Sequence, residues 1–166
     1  CKFEFSLEDT IDKWFTKTLT VVFRNEPNLY RSYVNYKYSR DVHLIYHLLK
    51  NGNGIYLKEI LGVYRVHEGG AYSMINTEKK MIIDYKISRE LYDINKDNFS
   101  KQKYFRNTLN LLSFYTLNIQ KQSKIHRSKL IYDSYKLKVP LNNYVLFFYY
   151  LNNNLKKKIK LLLNIK

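Results

Sequence analysis

The sequence predicts an α/β fold over its first 95 residues and a basic, all-helical extension over 96–166. Three observations lead there. Short β-branched and aromatic runs alternate with amphipathic periodicity in the first part, whereas only the 3.6-residue period persists in the second. The charge divides the same way: acids and bases are both common up to about residue 95, and from Lys96 onward almost every charged residue is Lys or Arg. The hydrophobic fraction of 45%, with only two prolines and five glycines, is that of a globular chain and argues against disorder over most of the 166 residues.

The elements follow in order. "KFEFSLEDTIDKWF" opens with Phe3 and Phe5 in alternation, which suits a short strand or an extended lead-in. "LTVVFRN" (19–25) reads as a buried strand, ended by Asn25-Glu26-Pro27-Asn28. "SRDVHLIYHLLKNGNG" (39–54) is the clearest helix. Ser39 is its candidate N-cap, Leu44, Ile45, Leu48 and Leu49 form its apolar stripe, and Gly52 stops it. Asp41 falls in its first turn, where the helix dipole favours a carboxylate; starting the helix is by itself a sufficient reason for that residue.

"IYLKEILGVYRVH" (55–67) reads as a strand, broken near Glu59. A period of two puts Leu61, Val63, Arg65 and His67 on one face, so Arg65 and His67 point the same way before Glu68-Gly69-Gly70 turns the chain. Helical periodicity then covers 77–94, 101–121 behind Ser100 as N-cap, and 124–137. Phe105, Leu109, Leu112 and Tyr115 are the expected core of the second of these. Pro140 breaks the chain, and a last helix is expected over about 142–164.

The net charge of +15 favours polyanionic partners: phosphate-bearing ligands, nucleic acid or anionic lipid. A single cysteine, Cys1, excludes an internal disulfide framework and suits a reducing compartment. The longest apolar run, "YVLFFYYL" (144–151), is far shorter than the ~20 residues that span a bilayer. "LNNNLKKKIKLLLNIK" (151–166) is amphipathic and basic, as for a helix lying on an anionic membrane or packed on a domain with its lysines in water.

Three blocks in order, "TKTLTVVFRN", "SRDVHLIYHLLKNGNG" and "GVYRVHEGG", resemble bacterial family 2 glycosyltransferases. In that family a strand of the form TxTVVFRN precedes a helix that begins with an aspartate, and an extended stretch closes on YRxHxGG. The resemblance covers roughly residues 10–90 and implies the C-terminal part of a GT-A fold. Arg40 stands before Asp41, where the family usually has Gly or an acid. The nucleotide-binding half, with its Asp-x-Asp motif, has no counterpart here; Glu8-Asp9 is not that motif. The chain also begins at Cys. It is therefore expected to be the C-terminal portion of a longer enzyme.

The resemblance implies roles. Asp41 is the general base of an inverting transfer, deprotonating the acceptor hydroxyl. Arg65, His67, Gly69 and Gly70 form the donor diphosphate side. There Arg65 offers a charged fork, His67 a ligand for Mn²⁺ or Mg²⁺ or a phosphate donor, and the glycines a close backbone approach. Arg24 is an acceptor-side residue or a cap on the sheet. The partners implied are a nucleotide-sugar donor and a polysaccharide or lipid-linked glycan acceptor, at a cytoplasmic site or the inner face of the membrane. The competing reading is a basic helical module that binds anionic membrane or nucleic acid. No nucleic-acid motif is recognisable, so nucleic acid is not the expected partner. His43 and His47, four apart, could pair on a metal but lack an acidic or Cys partner nearby in the sequence, so they are expected on the helix surface. His126 stands among basic residues and points to nothing.

Overall fold

Phe3 and Phe5 do alternate along a strand. In a computed structural model, which describes residues 2–11, 20–25, 28–29, 35–38, 41–63, 75–118 and 125–137, Lys2–Phe5 (β1) pairs antiparallel with Gly54–Leu57 (β2). The register sets Lys2 opposite Leu57, Phe3 opposite Tyr56, Glu4 opposite Ile55 and Phe5 opposite Gly54. Phe3 stacks on Tyr56 with ring centroids 4.8 Å apart, the cross-strand contact that holds such a pair. Phe5 turns inward, and its ring lies over Gly54 so closely that a Cβ there would stand 2.2 Å from Cζ. Only glycine accepts that approach. Asn53 Nδ2 donates to Glu4 Oε1 at 2.8 Å beside it.

A 3-10 turn, Glu8–Thr10, follows β1. Ser6 fixes it, donating from both its backbone N–H and its hydroxyl to Asp9 Oδ2 at 2.8 Å. These two bonds hold the Asp9 carboxyl below its ordinary range. Four helices with both ends described follow: α1 Asp41–Lys50, α2 Thr77–Asn95, α3 Asn98–Leu117 and α4 Arg127–Lys136. Asn76 caps α2 by accepting from Lys79 N at 2.9 Å. Lys96, in the left-handed region at φ 57°, ends it. The N-terminal cap of α3 is Asp97, whose Oδ1 accepts from Ser100 N at 2.8 Å. The sequence assigned that cap to Ser100; its hydroxyl instead bonds back to Asp97 O inside the first turn.

The chain divides into two compact units, Cys1–Tyr104 and Phe105–Lys166. The core of the first joins Phe5 and Leu7 to Tyr36, to Ile45, Tyr46 and Leu49 of α1, to Leu91 of α2 and to Phe99 of α3. In the second, Phe105, Leu109 and Tyr115 are buried as the 3.6-residue pattern predicts, with Leu130; Leu112, expected with them, is only partly buried, and its neighbour Leu111 is fully buried instead.

Two strand expectations give way. Residues 20–25 hold no strand: Val21 packs partly against the core, but Val22 is 96% exposed and Phe23 and Arg24 are exposed too. Among the described residues β1 and β2 pair only with each other, so the β-branched run joins neither of their outer edges. Of the strand expected over 55–67, the pairing with β1 runs to Leu57; 58–63 is irregular, with a bend at Glu59, and 64–67 lies outside the described residues. The last helix, 142–164, lies outside the described residues. Among the described residues no helix is long and apolar enough to cross a membrane.

Candidate active site

Asp41 is the first residue of α1, partly buried, and its Oδ1 accepts from Val42 N at 3.0 Å. A short polar side chain there satisfies a backbone N–H that the helix leaves unbonded. Its charge is felt by Asp84 of α2, which is also influenced by Lys103 of α3. Burial pushes the Asp84 carboxyl above its ordinary range; Lys103 opposes that and Asp41 adds to it. The Lys103 ammonium is fixed by Thr10 O at 2.8 Å and Ile11 O at 3.2 Å. Burial lowers its pKa, and Asp84 works against the shift. The start of α1, the middle of α2 and the first turns of α3 thus bring two carboxylates and an ammonium into one electrostatic group. A half-buried carboxylate of this kind can take a proton from a hydroxyl brought to it, and a second, harder to ionise, can hold one.

Behind Asp41 lies an aromatic and imidazole layer. His43 is fully buried, with the Tyr36 ring 3.9 Å away between centroids and Glu90 Oε2 at 3.9 Å from Nε2. Burial, reinforced by the nearby His47 and opposed by Asp41, lowers the His43 pKa to about 4, so its ring is neutral near pH 7. Glu90 also accepts the backbone N–H groups of Lys37 and Tyr38, at 2.6 and 3.0 Å, tying the segment that carries Tyr36 to α2. Asn95 Nδ2 donates to the Tyr36 hydroxyl at 2.8 Å. The same hydroxyl lies 2.9 Å from His47 Nε2, a hydrogen bond whose direction follows the imidazole tautomer.

One turn on, the Tyr46 hydroxyl donates to Asp97 Oδ2, and Lys50 Nζ reaches the same carboxylate at 3.5 Å. Burial alone would push the Asp97 carboxyl up. The bonds from Tyr46 and Ser100, with the Lys50 charge, outweigh it and hold the group below its ordinary range. The Tyr46 phenol is driven the other way, by burial first and then by the carboxylate beside it.

The placement of His43 corrects the sequence expectation. The pair His43 and His47 was expected on the helix surface, but Tyr36, seven residues upstream of His43, lays its ring over one imidazole and bonds the other. Arg24 lies in the exposed irregular segment 20–25. Arg65, His67, Gly69 and Gly70 lie outside the described residues. Among the described residues no three of His, Cys, Asp and Glu are placed to hold a metal ion. The metal that the resemblance implies, Mn²⁺ or Mg²⁺, therefore has no ligand set within them. Asp84 and Lys103 escaped the sequence reading. A faint signal exists: Asp84 shares a helix face with Ser88 and Leu91, both buried, and Lys103 follows Phe99 and Ser100 at helical spacing.

Comparison of the chain with family models, with curated proteins and with solved structures finds no match.

Proposed function

We propose that the chain is the C-terminal portion of a family 2 glycosyltransferase of GT-A fold, acting from a nucleotide-sugar donor on a polysaccharide or lipid-linked glycan by inversion. One observation carries the reading: the three motif blocks stand in the family's order, with Asp41 opening the helix of the second. The partial burial of Asp41 at a helix N-terminus supports it.

In this reading Asp41 removes the proton of the acceptor hydroxyl as that oxygen attacks the anomeric carbon. The bond from that carbon to the nucleoside diphosphate breaks on the opposite side. Arg65, His67 and the backbone at Gly69 and Gly70 meet the charge left on the departing diphosphate. A divalent metal, when bound, would neutralise the same charge. Arg24 would serve the acceptor. The reaction would run in the cytoplasm or at the inner face of the membrane.

A panel of nucleotide sugars with Mn²⁺, offered to the full-length open reading frame, tests this. Turnover of one donor, with His67→Ala losing its metal dependence, agrees with the reading. Absence of turnover with every donor, alongside binding of DNA or anionic vesicles, would replace it with the basic-module reading that the charge favours.

A further inference from the structure

The helix α4 shows one face to its unit and another to solvent. Leu130, Asp133 and Ser134 are buried, as is Leu137 just past its end. On the other side Ile131, Tyr132 and Tyr135 are 55%, 60% and 77% exposed, at the i, i+1, i+4 spacing that keeps them together. Ser128, Lys129 and Lys136 are exposed with them.

The charge around this face has one sign. From Phe105 to the end of the sequence Asp133 is the only acidic side chain, and Lys121, Lys124 and Lys138 flank the helix in the sequence. Asp133 is turned inward, its side chain 9% exposed, and bound to Lys129 Nζ at 3.2 Å. An anionic surface approaching Ile131, Tyr132 and Tyr135 therefore meets no exposed carboxylate on α4.

We infer that the Ile131–Tyr132–Tyr135 face of α4 docks on an anionic lipid bilayer. Each part has a physical role at such a boundary. Tyrosine places its ring at the headgroup level and its hydroxyl in water. Lysine stems lie along the apolar surface while their ammonium groups reach lipid phosphates. Ile131 decides between lipid and nucleic acid: an aliphatic side chain has no ring to stack on a base, and hydrocarbon is where its burial stabilises. The surface is distinct from the 151–166 segment and independent of the sugar-transfer reading.

The test uses the 166-residue chain without any sugar donor. It is sedimented with vesicles of phosphatidylcholine alone, or with about a quarter phosphatidylserine. Binding is expected to the anionic vesicles and to be lost at about 0.5 M salt. Tyr132→Ser with Tyr135→Ser should weaken it roughly tenfold, and Lys136→Glu roughly fivefold. All three positions are exposed, so circular dichroism and melting should match the parent chain. If the double variant misfolds, the Lys136→Glu and salt arms still decide. Equal binding to both vesicle types, or unchanged binding in the variants, overturns the inference; the second result would assign the contact elsewhere, such as Lys156–Lys158. A loss confined to oligonucleotide binding overturns it in favour of nucleic acid.

Discussion

The helix α1 and the strand β2 are separated by three residues and are both rich in apolar side chains, yet they end in opposite environments. His43, Ile45, Tyr46 and Leu49 are buried; Ile55, Tyr56 and Leu57 are exposed, and beyond them Ile60 is 96% exposed with Leu61 and Val63. The difference lies in what each segment can lean on. The face of α1 meets Phe5, Leu7, Leu91 and Phe99. The β1–β2 ladder offers two short strands, a Phe3–Tyr56 stack and little else, and a two-stranded sheet alone is marginal in water. Apolar sequence decides burial only where another element supplies the opposing surface.

The contrast can be broken most strongly from the buried side. Tyr46→Ala should cost about 3–5 kcal/mol in urea unfolding, since it removes a core ring and the donor to Asp97. Next comes pH. His43 is neutral when folded, with its pKa lowered to about 4, whereas the unfolded imidazole titrates near 6.5. The unfolded chain thus binds a proton first as pH falls. Stability from this group is full above about pH 6.5 and declines toward pH 4, by up to roughly 3 kcal/mol. His47, shifted in the same direction mainly by burial, adds to the slope. Asp84, raised by burial, acts oppositely, so the His43 share is the difference between the pH profiles of the parent and His43→Gln.

A smaller effect tests the β1–β2 pair. Gly54→Ala pushes a methyl into the Phe5 ring and should destabilise by about 1–3 kcal/mol, restored in part by Phe5→Leu. Val63→Ser should change stability by less than about 0.5 kcal/mol, because the side chain is already in water. A loss of several kcal/mol there would show that the exposed tract is covered in solution.

Local patterns carried much of the fold in the sequence. The alternation of Phe3 and Phe5 marks β1, and the Leu44 to Leu49 stripe with Gly52 marks α1 within two residues at each end. The spacing through Tyr85 and Leu91, and through Phe105 and Tyr115, marks α2 and α3. What failed depended on contacts far apart in the chain. "TVVFRN" has strand composition but pairs with neither outer edge of the described sheet, and composition does not report pairing. His43 looked like a surface histidine because its cover, Tyr36, comes from outside its helix and is itself held by Asn95, 59 residues away. Asp41 was legible as a helix-starting carboxylate. Asp84, which feels its charge, and Lys103, which is coupled to Asp84, were not, because they arrive on two other helices.

The measurement that bears most directly on the proposed base is Asp41→Asn in the full-length open reading frame, with sugar transfer and donor affinity measured on the same preparation. The account predicts that transfer falls by about 10²–10⁴-fold while the donor binds within about twofold of the parent. Transfer at the parent rate, with the donor bound as before, would contradict it.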